Sequence, residues 1–243
     1  MHKKNILIIL AALLFALQYQ MTFAAAQDTI PKSLESRMAV KHYKSFSAGM
    51  EISYSNNPKL KTFVEYTLPN YPYVADEYKL KSFSSGLGFF ASGELQLAKN
   101  FSAKIDYKYF IKSYNSDADI YANYDFSYFN HEIYLKGYML FPVDYVIFKV
   151  GGGAGFIHSS FSKKYFGLES TYTSNGLGLT LEGIMDVQLS KNLAAYVSCG
   201  MFDRIQPNLK SDSGEELKAS NGDGVNLNSF GVALRLGFEV FIF

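Results

Sequence analysis

Apolar and polar positions alternate along most of the chain beyond residue 45. Between 101 and 112, Phe101, Ala103, Ile105, Tyr107, Tyr109 and Ile111 share one phase, and Ser102, Lys104, Asp106, Lys108, Phe110 and Lys112 the other. Between 129 and 141, Phe129, His131, Ile133, Leu135, Met139 and Phe141 oppose Asn130, Glu132, Tyr134, Lys136 and Tyr138. Between 177 and 189, Leu177, Leu179, Leu181, Met185, Val187 and Leu189 oppose Gly178, Thr180, Glu182, Ile184, Asp186 and Gln188. A period of two marks a β-strand with chemically different faces. Segments 46–54, 83–97, 145–157, 193–205 and 229–242 complete a predicted set of eight strands. No stretch of ten or more residues beyond 45 reads as helical.

The predicted strands run mostly 9 to 15 residues. Strands of globular proteins average about 5–6 residues, whereas a tilted transmembrane strand needs about 9–11. The connections alternate strictly. Those at Ala98-Lys99-Asn100, Pro142-Val143-Asp144 and Ser190-Lys191-Asn192 are short, and those at 55–82, 113–127, 158–174 and 206–227 are long. Short turns on the periplasmic side and longer loops outside are the habit of outer-membrane barrels. The expected fold is all-β: an eight-stranded antiparallel up-and-down transmembrane β-barrel with three short periplasmic turns and four longer extracellular loops.

The start of the chain has a different character. His2, Lys3 and Lys4 precede an unbroken apolar run from Ile6 to Leu17, and Ala24-Ala25-Ala26 offers small residues for cleavage before Gln27. This order reads as a secretory signal peptide, and the run falls short of the roughly 20 residues that span a bilayer. The expected organisation is a signal peptide over 1–26, a short extension over 27–44 and the barrel over 45–243.

Composition narrows the function classes. Lys and Arg number 23 against 22 Asp and Glu, a net charge of +1 without the basic excess of a nucleic-acid-binding domain. One cysteine excludes an internal disulfide framework, and four histidines leave little for a multi-histidine metal site. Phe (21) and Tyr (19) dominate the aromatics, and Trp is absent. That bias suits strands. No cofactor and no nucleic-acid partner are expected.

Periodicity leaves open which face is inside. A soluble barrel buries its apolar face, and a membrane barrel turns it outward to lipid. The polar face here is rich in small residues, among them Ser47, Gly49, Gly86, Gly88, Ser92, Gly151, Gly153, Gly155 and Gly178. An eight-stranded barrel has room inside only for side chains, so small residues free space for larger charged ones. The charges in that phase are Glu51, Glu94, Asp106, Glu132, Glu182, Asp186 and Glu239 against Lys104, Lys108, Lys136, Lys149 and Arg235. Seven against five nearly balances, as a buried set must. These twelve residues are the expected barrel-interior charge network. The signal peptide favours the same orientation.

The pattern resembles the OmpA/OmpX-like small outer-membrane β-barrels over residues 45–243. The C-terminal segment, Leu234 to Phe243, ends in Phe. In that family a terminal Phe implies a signal for the outer-membrane assembly machinery, here Phe243. Phe243 nonetheless falls in phase with Arg235 and Glu239, whereas the family's terminal Phe usually follows the outward apolar phase. Gln27-Asp28-Thr29-Ile30-Pro31 resembles the mature starts of Bacteroidetes envelope proteins.

Few residues suggest chemistry. Gly151-Gly152-Gly153-Ala154-Gly155 lacks the Lys-Ser/Thr ending of a phosphate loop. His158 and Ser160 continue an outward phase at the external rim and resemble the His-x-Ser of lipid A deacylase barrels, with Glu169 as an orienting group. His131 reads as a lone interfacial residue, and Asp117, Asp119 and Asp125 lack the Gly and Glu of a calcium loop. The leading expectation is a non-enzymatic barrel of the outer membrane of a Gram-negative bacterium. It would contact membrane lipids and lipopolysaccharide, and an extracellular partner through loop 55–82, where Tyr66, Tyr71, Tyr73 and Tyr78 cluster. The alternatives are a deacylase-like enzyme, a narrow channel and a secreted lipocalin-like binder.

Overall fold

The alternating segments form eight strands in a computed structural model that describes residues 42–67, 84–119, 122–165 and 167–243. In chain order they are β1 (Lys44–Asn56), β2 (Ser85–Ala98), β3 (Phe101–Asp119), β4 (Ala122–Val143), β5 (Val146–Tyr165), β6 (Leu168–Gln188), β7 (Leu193–Ile205) and β8 (Ser229–Ile242). Each pairs antiparallel with its chain neighbours, and β1 closes on β8 from Lys44↔Ile242 to Asn56↔Phe230. Closure pairs every wall strand on both sides, the condition for backbone to cross hydrocarbon.

The two faces sort by polarity in the inverted sense. Ile105, Ile133, Leu135, Leu177, Leu179, Leu181, Leu234 and Phe238 are exposed on the outer surface, while Lys104, Glu132, Lys136, Glu182 and Arg235 are buried within the ring. An apolar cylinder of this extent far exceeds the few hundred Å² that a soluble monomer exposes. The barrel is therefore a transmembrane one, and the lipocalin-like alternative, which needs the Leu/Ile/Val face inside, is overturned.

Glycines fit bulky inward neighbours. A Cβ on Gly178 would lie 2.3 Å from the Tyr134 hydroxyl, and one on Gly155 would lie 2.6 Å from the Tyr134 ring. The crowded wall thus explains the glycine run 151–155, with no phosphate loop.

Three expectations need correction. First, the middle strands are longer than the alternation indicated. β3 to β6 have 19, 22, 20 and 21 residues, against 13 or 14 for β1, β2, β7 and β8. Segments 113–127 and 158–174, read as loops, are largely strand. Their Ser-, Asn- and Lys-rich sequences lack the lipid-facing apolar phase because they stand above the apolar belt. At about 3.3 Å per residue and a tilt near 40°, the excess projects about 15–20 Å beyond the short strands. Pairing of β2 with β3 stops at Leu87↔Ile111 and of β6 with β7 at Leu177↔Ile205, so above these rows β3 to β6 form an open four-stranded sheet.

Second, the segment after β1 contains a helix, α1 (Pro58–Thr67). Pro58 suits the first helical position, and the Asn57 carbonyl accepts the Lys61 amide at 2.9 Å. Leu60, Phe63 and Val64 stand at helical spacing and are buried.

Third, the connection from β7 to β8 is ordered as an eight-residue repeat. Asn208-Leu209-Lys210, Glu216-Leu217-Lys218 and Gly224-Val225-Asn226 pair with one another in a ring. Leu209 donates its amide to Val225, Val225 to Leu217, and Leu217 to Leu209, at 2.8–2.9 Å. Gly214 and Gly222, both with φ of +85°, occupy equivalent turns.

Candidate functional site

The barrel interior is filled in three layers. The central layer is a run of alternating charge. Arg204 Nε donates to Glu132 at 2.9 Å, and Lys108 lies 3.0 Å from Glu132 and 3.1 Å from Glu51. Arg235 joins Glu51 and Asp106, both at 2.8 Å, and Lys136 joins Asp106 at 2.7 Å and Glu182 at 2.9 Å. Tyr134 donates to Glu132 at 2.9 Å, and Tyr138 donates to Glu182. Carboxylates removed from water are costly unless paired and hydrogen-bonded; this run pairs each of its carboxylates, and leaves Asp106 Oδ1 and Arg204 Nη2 without a hydrogen-bond partner.

The turn end is closed by a second layer. Lys149 is held by three carboxylates, Glu94 and Asp186 at 2.8 Å and Glu239 at 3.1 Å. Tyr43, immediately before β1, donates to Glu94 at 2.5 Å, and Ser45 donates to Glu239. Lys104 sits 4.6 Å above the Tyr196 ring. Around these charges pack Phe90, Leu140, Ile147, Ile184 and Phe241, with Phe243 partly buried against them. Phe243 thus keeps the inward phase of Arg235 and Glu239.

A third layer seals the loop end. Leu60, Phe63 and Val64 of α1 meet Phe110, Phe126, Tyr128 and Phe161 of the wall, and Leu209, Leu217, Val225 and Leu227 of the repeat complete the cluster. The Phe63 ring stands edge-on to Phe126 and Phe161 at 6.3 and 6.0 Å. Asn57 donates to the Leu227 carbonyl at 3.3 Å, and Lys59 pairs with Asp223 at 2.9 Å. The hydrogen bond from Lys59, together with its charge, holds the Asp223 carboxyl below the ordinary carboxylate range.

All twelve residues expected in the interior network are buried. Among the described residues, the buried charges also include Lys112 and Arg204, which makes seven acids and seven bases. Arg204 shares the inward phase of Tyr196, Ser198 and Phe202, so that phase carried the signal for it. Lys112 belongs to the inward phase of β3 and hydrogen-bonds Ser55 at 3.3 Å. Within the central layer, a void of about 10 Å³ touches Glu51, Lys108, Tyr134, Glu182 and Arg235, about the space of one water molecule.

On the outer surface, the deacylase-like constellation does not assemble. His158 Nδ1 meets Asn175 Oδ1 at 2.7 Å. Glu169 pairs in register with Lys164, six residues along β5 from His158, roughly 20 Å away. His131 is not alone: it lies directly across from His158 and hydrogen-bonds Tyr107 at 2.8 Å. Cys199 is exposed on the lipid face. Among the described residues, no three His, Cys, Asp or Glu side chains cluster as metal ligands. Tyr71, Tyr73 and Tyr78 and the side chains of Tyr66, Asp117 and Asp119 lie outside the described residues.

No protein-family model matches the sequence. No curated protein matches it. Among solved structures, the attachment invasion locus protein Ail of Yersinia pestis is similar over 84% of this chain and 100% of its own, at 14% identity and a TM-score of 0.45. Neisserial surface protein A is similar over 82% of this chain and 96% of its own, at 12% identity and a TM-score of 0.44. The outer membrane protein OprG of Pseudomonas aeruginosa is similar over 82% and 95%, at 13% identity and a TM-score of 0.42.

Proposed function

We propose that this protein is a non-enzymatic barrel of the outer membrane of a Gram-negative bacterium, a rigid support that presents its loop end outside the cell. Residues 1–26 direct export and are cleaved, and the last strand, ending in Phe243, engages the assembly machinery. The observation that carries the reading is the filled interior. An apolar cap, a neutral ionic run and an aromatic layer fill the ring with buried side chains, which argues against transport. The exposed structure is then the working part: the open sheet of β3 to β6 and the cap of α1 and the octad repeat. An extracellular partner meets these surfaces, while lipid and lipopolysaccharide surround the belt. The segment 55–82 contributes through α1.

Four measurements test the reading. Purified protein should migrate as a compact, heat-modifiable species in the outer-membrane fraction and begin at Gln27. Planar bilayers should record no stable unitary conductance; a reproducible open level would reject the support role in favour of a channel. Cells whose β3–β4 and β5–β6 tips are replaced by short turns should lose surface adhesion while the barrel still assembles. Unchanged adhesion would remove the projecting sheet from the account. Lipid A acylation should be unaffected by Ser160→Ala, and altered acylation would revive the enzyme alternative.

A further inference from the structure

One cross-strand row stands apart from the lipid-facing belt. Tyr109, His131, His158 and Asn175 are direct register partners across β3, β4, β5 and β6. Within each strand the next outward residue toward the turn end is apolar or aromatic: Tyr107, Ile133, Phe156 and Leu177. On β5 and β6 the outward residues beyond the row are Ser160 and Thr173, and on β3 and β4 one further apolar pair, Ile111 and Phe129, follows, so the row lies at or next to the loop-end rim of the belt, at the root of the projecting sheet. Both histidines are exposed.

We infer that His131 and His158 form a two-histidine site for a borderline divalent transition ion of the Zn²⁺ or Ni²⁺ class. Their ring centroids are 6.4 Å apart and the rings are inclined by 31°. Each Nδ1 is already engaged, His131 by the Tyr107 hydroxyl at 2.8 Å and His158 by the Asn175 amide oxygen at 2.7 Å. The amide oxygen of Asn175 can only accept, so His158 carries a proton on Nδ1, which leaves Nε2 as the nitrogen to ligate a metal. A hydrogen bond on the second ring nitrogen is how proteins fix an imidazole as a metal ligand. For His131 the same tautomer follows when its Nδ1–H donates to the Tyr107 oxygen. The Tyr109 ring packs against the His131 ring at a tilt of 40°, centroids 5.0 Å apart, and limits its rotation.

The spacing fits one ion. With a metal–nitrogen bond of about 2.0–2.1 Å, each ring centroid lies about 3.2 Å from the metal, and tetrahedral geometry puts the centroids about 5 Å apart. The rings must close by about 1 Å, within the ordinary scatter of staggered rotamers. Imidazole nitrogen selects Zn²⁺, Ni²⁺ and Cu²⁺ over Mg²⁺ and Ca²⁺, which take oxygen ligands. No Lys or Arg shares the row, so an anion would find no fixed positive charge there. Remaining coordination positions open outward to water and headgroup oxygens. The ion would tie β4 to β5 where the projecting sheet leaves the membrane.

The test is Zn²⁺ titration by calorimetry of the folded full chain, prepared without a polyhistidine tag, in micelles. About one ion per chain is expected. His131→Ala and His158→Ala should each weaken binding at least tenfold, and Asn175→Ala, which leaves both ligands in place, by roughly tenfold. His42→Ala should have no effect. Both ligand variants replace exposed side chains, and heat-modifiable migration verifies their folding. Zn²⁺ binding by the folded double variant at wild-type affinity would overturn the site, as would equal affinity for Ca²⁺. Binding of inorganic phosphate that the same variants abolish would mark an anion site instead and reject the metal.

Discussion

At the residue scale, the interior depends on a few cations shared among several acids. Lys149 is the extreme case, since Glu94, Asp186 and Glu239 converge on one ammonium group within 3.1 Å. Removing it strands three buried carboxylates. Breaking a buried ion pair on one side typically costs about 3–5 kcal/mol, so Lys149→Ala should destabilise the folded barrel by about that amount, read as a lower urea midpoint for loss of the compact gel species. A midpoint equal to wild type would mean that the acids are not ionised together. Lys59→Ala, which removes an exposed pair, should leave the same midpoint unmoved. Most of this interior was legible from alternation, because a strict period assigns a face to each residue between Phe101 and Lys112 without knowledge of the partners. Arg204 was missed although its phase was plain, since it stands at the end of β7 where the strand gives way to the loop. Its addition with Lys112 turns an apparent acidic excess into balance.

At the element scale, the cap is where sequence reading failed. Helix α1 has only ten residues, too few for periodicity to outweigh the surrounding strands, although Asn57-Pro58 and the spacing of Leu60, Phe63 and Val64 were its start and face. The octad was similarly hidden: Leu209, Leu217 and Val225 recur every eight residues among Ser, Asn, Asp and Gly, a composition that reads as irregular loop. Phe63 joins helix to wall through Phe126 and Phe161. Phe63→Ala should therefore cost the cap about 3–5 kcal/mol. Amide exchange at Leu209, Leu217 and Val225 should accelerate while strand amides near the turn end keep their protection; uniform acceleration would make cap and barrel one cooperative unit. The Lys59–Asp223 pair adds a small pH-dependent term. The folded carboxyl titrates below its ordinary value, so its contribution is present above about pH 4 and is lost as pH falls through the lowered pKa. Asp223→Asn should remove that acid sensitivity from the exchange of the cap amides.

At the scale of the whole molecule, orientation was the question that alternation could not answer, because an inverted barrel and a soluble one share the same period. Small residues and near-neutral charge in one phase carried that decision, and the exposed apolar cylinder follows from it. The three layers differ in chemistry, and that difference makes a prediction about sealing. If the cap were a gate, its removal would open a path; but beneath it lies a central run whose charges are matched pair by pair, and below that the Lys149 cluster ringed by Phe90, Ile184 and Phe241. A permeating ion would have to displace buried ion pairs. Replacing residues 206–228 with a short linker should therefore expose the apolar surface of Phe126 and Phe161 and lower thermal stability, yet planar bilayers should still record no unitary conductance. A conducting variant would mean that the lower layers give way once unloaded, and the cap would then be the gate of a channel.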